Sequence, residues 1–497
     1  MKKKVIIILL VVFAGLSVGA AEVYLFLIFN EKHEDAQEES IQLDNKNFTK
    51  FEKSHFGFMH PEMTYPLMEE LNVHWERPHP GPFLWGTIEK EKGEYDWEDA
   101  DNWVKRSQEH NILILATIWP YAQWDQAECH SKLPGTPRED FPELGDYRQI
   151  PCDMNVYSDF IEELVERYDG DGEDDMPNLK YPIKYWEVLN EPELSVWEDN
   201  ELIFFWGENL ADEYLEILKI SYQAIKQSDR NAYVLNSGMA GLGGEEWDFW
   251  ADLFSNDGAK YLDILSYHSV SGTSDLGLIS LTELMETYSL DQSIWITEVQ
   301  FGMDQMDDAK DSEDDDTEII DVERDDFNPH NLSEEEWSEY LVKAFVQAYA
   351  RGADKLFYIG LNSNHPGEDA SALTDCEDAD LLLNGEVYVQ DNLQKKDKKE
   401  EPEDLSFDTS GCTKQQPFYA FATLVEMIDY FEKAEKIDKG LYKFTLQAKT
   451  VYVLWGDAEI PAKITGNVEV TDMYGNSTLT DIDDLEISEE PVYIVIQ

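Results

Sequence analysis

Residues 184–193 read Lys-Tyr-Trp-Glu-Val-Leu-Asn-Glu-Pro-Glu, an aromatic and β-branched strand that runs straight into Asn190-Glu191-Pro192. Working outward, seven other segments share its texture: 55–59 (HFGFM), 73–77 (VHWER), 112–118 (ILILATI), 232–236 (AYVLN), 262–267 (LDILSY), 294–298 (IWITE) and 355–360 (KLFYIG). Amphipathic stretches alternate with them, as in βα units carrying a parallel sheet. Several of the eight are nearly continuous apolar runs, which suits strands covered on both faces. The expected fold is therefore α/β, a (β/α)8 TIM barrel.

Two intervening helices are legible. Ser333 and Glu336 form a capping box, after which Trp337, Tyr340, Leu341, Ala344, Phe345 and Ala348 recur at helical spacing until Arg351-Gly352. Val156, Phe160, Ile161, Leu164 and Val165 make a second stripe, and residues 417–433 read as the last helix of the barrel. Beyond that the texture becomes LYKFTLQ, TVYVLWG, GNVEVTDMYGN and PVYIVIQ, separated by turn signals, which predicts a small C-terminal antiparallel β domain. The expected organisation is a signal anchor or signal peptide over 1–29, a polar tether over 30–54, the barrel over 55–435 and the β domain over 436–497. Long stretches at 303–332 and 362–416 follow the seventh and eighth strands, so the barrel would carry both on its C-terminal face.

The 497 residues include 38 Lys+Arg and 105 Asp+Glu, a formal net charge of −67. Residues 307–326 hold 12 acidic and two basic residues, so most of the surplus lies elsewhere and is chain-wide. Such a charge repels polyphosphate, which argues against a nucleic-acid partner and against an anionic membrane as a docking surface. Three lysines open the chain before an apolar run, the mark of export. We read 5–29 as an uncleaved anchor, with cleavage near Val18-Gly19-Ala20 as the other reading; membrane association is then confined to this segment, and the bulk of the chain is extracytoplasmic. The four cysteines lack zinc-site spacing; the expected pairs are Cys129–Cys152 and Cys376–Cys412, with buried free thiols as the alternative. Asp169 to Asp175 (DGDGEDD) lacks the full ligand pattern of a calcium loop and reads as a solvated acidic turn. No metal and no cofactor are expected.

Chemistry concentrates in two places. Glu191 ends the fourth strand, and Ile294-Trp295-Ile296-Thr297-Glu298 delivers a second glutamate at the end of the seventh. Two carboxylates converging at one barrel mouth are what glycosidic bond cleavage requires: one protonates the leaving oxygen while the other attacks or stabilises the anomeric carbon. With Asn-Glu-Pro, Ile-Trp-Ile-Thr-Glu and the strand count together, residues 55–435 resemble the retaining glycoside hydrolases of clan A. That resemblance implies cleavage of O-glycosidic bonds, β-linked ones by analogy, with a carbohydrate as partner. It implies Glu191 as acid/base, Glu298 as nucleophile and Asn190 as the amide that binds the sugar 2-hydroxyl. Arg77, ending the second strand, resembles the arginine that keeps the nucleophile ionised, and His268 resembles the group that hydrogen-bonds it. A cation beside Glu298 should lower its pKa, while the charge on Glu298 together with burial should raise that of Glu191.

The eighth strand departs from the clan pattern. It ends Phe357-Tyr358-Ile359-Gly360 where many members carry a tryptophan under the sugar, so Tyr358 or a loop tryptophan would have to serve. Trp85, Trp119 and Trp124 are candidate stacking platforms for sugar faces, and His60 and His79 are candidate pocket residues. Two other readings share this scaffold: a non-catalytic carbohydrate-binding surface protein and a transglycosylase.

Overall fold

In a computed structural model, the structure describes residues 44–59, 64–133, 144–194, 205–270, 276–301, 332–361, 372–376 and 412–496. Eight parallel strands close a barrel: β1 (Phe56–Met59), β2 (Trp75–Arg77), β3 (Leu113–Ile118), β4 (Tyr185–Val188), β5 (Tyr233–Leu235), β6 (Ile264–Ser269), β7 (Ser293–Val299) and β8 (Ala353–Tyr358). Each strand pairs with its neighbours in sequence, and β8 returns to β1 with Phe58 opposite Tyr358. Every segment expected to be a barrel strand is one.

Alternation along the strands sorts the interior into layers. Trp75, Leu113, Leu115, Tyr185, Leu235, Ile264, Trp295 and Phe357 form a single apolar floor. Its rings meet edge to face, Trp75 lying 5.1 Å from Tyr185 and 5.5 Å from Trp295 between centroids. One layer higher the inward positions turn polar, with Glu187 two residues on from Tyr185 and Thr297 two on from Trp295.

The floor is completed by residues expected to be tether. Helix α1 (Asn45–Phe51) starts where the Asp44 side chain accepts the Asn47 amide at 3.2 Å, and it presents Phe48 and Phe51 to the floor cluster. These aromatics stand three apart and so share a helix face. Phe51 stacks on His74 at 3.8 Å, and its carbonyl accepts the Trp75 indole N–H at 3.0 Å.

Outside the strands, α2 (Met154–Tyr168) buries the expected stripe, α3 (Glu334–Ala350) carries the expected capping box, and α4 (Gln416–Ile428) packs beside α3. A six-stranded antiparallel sheet follows: β9 (Lys433–Asp438), β10 (Leu441–Thr445), β11 (Thr450–Leu454), β12 (Asn467–Asp472), β13 (Ser477–Asp481) and β14 (Val492–Ile496). Their spatial order is β9-β10-β11-β14-β12-β13. β9 and β13 were not among the expected strands. Both are edges whose residues are mostly exposed, so they lack the apolar alternation by which strands are recognised.

Cys129 and Cys152 form a disulfide. Cys412 is disulfide-bonded as well, and the residue opposite it in a short antiparallel ladder is Cys376. The acidic turn folds on itself: Asp175 accepts the amides of Gly170 and Gly172, Asp169 that of Asp171, and Asp171 that of Glu173. No described helix is long and apolar enough to cross a membrane. The export segment, the stretch 303–331 and most of 362–416 lie outside the described residues.

Removing the ring that plugs the floor leaves a cavity against Trp75 and His74. Phe51→Ala should cost about 3 to 5 kcal/mol in urea unfolding, whereas a loss under 1 kcal/mol would show that α1 is dispensable.

Candidate active site

Above the polar layer, the strand ends bring Arg77, Asn190, Glu191, His268 and Glu298 together, all buried. Two local devices aim the glutamates. On β7, strict alternation would send Glu298 outward, because Thr297 faces in. A register shift intervenes: Tyr267 pairs with Ile296, but the next residue, His268, pairs with Glu298. This bulge gives β7 the extra residue that turns Glu298 to the mouth. Past β4, Leu189 and Glu191 adopt left-handed backbone, with φ of 71° and 40°. Side chains rarely accept that conformation, and here it persists because the Glu191 amide donates to the Ser237 carbonyl at 3.0 Å.

Arg77 organises the cluster. Its Nη1 donates to Glu298 at 2.7 Å, its Nη2 to Asn190 Oδ1 at 2.6 Å and its Nε to Glu187 at 2.7 Å. A guanidinium has no acceptor, so the Asn190 oxygen must face it and the Asn190 NH2 edge is its donor side, turned toward Glu191 and the mouth. His268 Nδ1 lies 2.6 Å from Glu191 Oε1 and 3.6 Å from Glu298 Oε1. The imidazole was expected on Glu298. Arg77 already holds that carboxylate, so the ring takes Glu191 as its closer partner. Gly238, at φ 66°, lies under the ring, where a Cβ would come within 2.0 Å of His268 Nε2; only glycine allows this approach.

Charge follows from burial and from Arg77. Burial raises Glu191 to about 7, with Arg77 opposing and Glu187 adding to the rise. Glu187, which sequence reasoning had not weighed, adds to this rise, and the expected repulsion between Glu191 and Glu298 acts within the pair as well. Burial also lifts Glu298, against the pull of His268 and Arg77. The expected lowering by a cation is thus outweighed by desolvation. Burial drops His268 to about 4, leaving the imidazole neutral near pH 7 and Arg77 as the standing cation beside Glu298.

The aromatic candidates divide. Trp85 and Trp119 have no exposed surface. Trp85 packs between Trp124, Tyr157 and Phe160 and donates its N–H to Glu89 at 2.5 Å, while Trp119 donates to the Pro80 carbonyl at 2.7 Å. Neither offers a face to a sugar, because the indole N–H draws each ring inward to an acceptor. Trp124 is partly exposed and donates to the Glu89 carbonyl at 2.7 Å. Tyr358 does not substitute for the missing tryptophan, since its ring is packed among Phe58, Phe301, Phe345 and Phe421. His79 is buried with its ring 5.5 Å from Trp119, and His60 lies outside the described residues.

Two carboxyls went unnoticed in the sequence. Glu187 is one; a charge at an inward position of an apolar strand was the signal. Glu193 is the other. Its Oε1 accepts the Ala240 amide at 2.7 Å and the Trp250 indole at 2.9 Å, its Oε2 is buried, and burial raises it to about 8. Glu191, His268 and Glu298 could also hold a metal, one ligand atom from each lying within 4.8 Å of the others, but Arg77 beside them disfavours a cation.

No family model matches the chain, and no curated protein matches it by sequence. Solved structures do. A GH39 β-xylosidase from Caulobacter crescentus superposes with a TM-score of 0.52 at 12% identity, covering 89% of this chain and 95% of that one. A monomeric β-xylosidase from Caulobacter crescentus CB15 gives 0.53 at 11% identity over 88% and 94%. These likenesses define the architecture as a (β/α)8 barrel followed by a β domain.

Glu191 and Glu193 carry folded-state pKa values above the ordinary carboxylate range, so between pH 5 and 8 the native state holds protons that the unfolded chain has released. The stability these two groups contribute falls as pH rises through that window, while His74 and His268, dropped to about 4 by burial, contribute the opposite slope below about pH 6.5. Melting temperature should decline from about pH 6.5 to 8, and Glu193→Gln, which mimics the protonated form, should flatten that decline. An unchanged slope in the variant would show that Glu193 ionises normally.

Proposed function

We propose that the protein is a glycosidase that cleaves β-linked O-glycosides with retention of configuration. The observation carrying this reading is the convergence of the two candidate carboxyls, an oxygen of Glu191 lying within 4.8 Å of one of Glu298, an approach that favours the closer of two known spacings. Retaining enzymes hold their carboxyls at roughly 5 to 5.5 Å, whereas inverting ones need roughly 6.5 to 9.5 Å to admit a water. The environments also differ in the required sense. Arg77 sits on Glu298 at 2.7 Å and not on Glu191, which burial holds protonated up to about pH 7.

Glu191 gives its proton to the glycosidic oxygen as a Glu298 oxygen bonds to the anomeric carbon; the C–O bond breaks and the alcohol leaves. A water then loses its proton to Glu191, its oxygen bonds to the same carbon, and the ester bond to Glu298 breaks. Asn190 presents its NH2 edge to the sugar, and Arg77 receives the charge returning to Glu298. No cofactor enters. Because the two superposed neighbours are β-xylosidases, β-xylosides come first among the substrates to try. The reading extends to export: a disulfide between Cys129 and Cys152 suits an oxidising compartment.

Aryl β-xylosides, β-glucosides and β-galactosides with their α counterparts test this, the product anomer being followed by NMR. Retained configuration, loss of turnover in Glu298→Gln, and an alkaline limb of kcat/KM near pH 7 are expected. Glu191→Gln should lose about 10²- to 10⁴-fold on substrates with poor leaving groups. Inverted product, or full turnover by Glu298→Gln, overturns the reading.

A further inference from the structure

Beneath the glutamate pair lies a third carboxylate that the chemistry above does not use. Glu187 is fully buried at the inward position of β4, under the Arg77 guanidinium. Donors from four other strands converge on it. Arg77 of β2 approaches Oε2 through Nε at 2.7 Å and Nη2 at 2.6 Å, and Thr117 of β3 donates to the same oxygen at 2.9 Å. Ser266 of β6 donates to Oε1 at 2.8 Å. Thr297 of β7 is 3.2 Å from Oε1 but 2.6 Å from Ser266 Oγ; with one proton to give, its shorter bond runs to Ser266 and relays toward the carboxylate.

We infer that Glu187 is a positioning residue for the glutamate pair: it fixes the Arg77 guanidinium edge-on, so that one nitrogen faces Glu298 and another Asn190, and it balances the charge of that cation beside Glu191. This rests on the glycosidase reading. The geometry requires an anchor, because a guanidinium on a flexible stem meets two acceptors at once only if its plane is held, and Nε together with Nη2 is the edge that holds it. The electrostatics require the charge. A lone guanidinium in a dry barrel would draw protons off both Glu191 and Glu298, whereas the Arg77–Glu187 pair acts on them as a dipole. The groups facing Glu191 are His268, Arg77, Glu187, Glu298 and Glu193; of these only Arg77 is a standing cation, and only Glu187 is tied to it by two of its nitrogens. The repulsion of Glu187 is among the causes that raise Glu191.

Glu187→Gln keeps the shape and removes the charge, since the new amide can donate to Ser266 while its oxygen keeps the Arg77 bonds. The alkaline limb of kcat/KM should move down by about one pH unit or more. At pH 7 the loss should be about tenfold or more for a poor leaving group and clearly smaller for a dinitrophenyl glycoside, which needs little acid assistance. A merely structural role would lower all substrates alike and leave the limb in place, and that outcome overturns the inference. Glu187→Asp keeps the charge but draws the anchor back by one methylene. It should hold the limb at its original pH while kcat falls about tenfold or more, and an undiminished kcat overturns the inference even where the Gln variant fails to fold. The two readings fail separately. Absence of glycoside turnover in the unmodified protein removes the glycosidase reading, whereas turnover that Glu298→Gln abolishes, with a Glu187→Gln limb at its original pH, removes only the role of Glu187.

Discussion

Everything at the barrel mouth depends on keeping one cation dry. Arg77 is fully buried, and a buried guanidinium is tolerated only where its donors are matched by acceptors and its charge by carboxylates. Glu187, Asn190 and Glu298 supply those acceptors from β4, the loop after it, and β7. Strands distant in sequence are thereby locked to a common height. Removing any one partner would leave a charge without compensation in a low-dielectric core, so the constellation stands or falls as a unit. The same cation divides the labour of the two glutamates, because it touches one and only influences the other.

A second constraint is backbone geometry. The apolar floor obeys strict alternation, but the site departs from it twice, once through the bulge in β7 and once through the left-handed residues after β4. Both departures occur where a carboxylate has to be swung out of its default direction. Gly238 adds a third local concession by letting the His268 ring lie against the backbone. Regular strands build the scaffold, and the irregular residues at their ends aim the chemistry.

How far this was legible in the sequence follows from the same distinction. The eight strands announce themselves as apolar runs, and Asn190, Glu191 and Glu298 as polar residues at strand ends. Glu187 hid within an apolar run, because its meaning depends on Arg77 across the barrel and on hydroxyls from three other strands. The tryptophans misled for the opposite reason. Trp85 and Trp119 lie just past strand ends where a platform would be useful, Trp85 opening a short helix and Trp119 bridged to Leu84, yet which way an indole turns is set by the acceptor its N–H finds, Glu89 in one case and the Pro80 carbonyl in the other. Edge strands β9 and β13 escaped because half-solvated edges need no apolar code. Helix α1 escaped because two phenylalanines in a polar stretch are too short a pattern to distinguish from linker.

The plug formed by α1 bears on the order in which the molecule can be made. Phe51 leaves the ribosome before any strand does, while Trp295 and Phe357, which share its cluster, belong to the last two strands of the barrel. The earliest piece of the hydrophobic floor must therefore wait, uncovered, for its latest neighbours. Contacts of such long sequence separation fold slowly and expose apolar surface meanwhile. Chains carrying the surplus of carboxylates found here repel one another during that interval, which opposes their association while the floor is open.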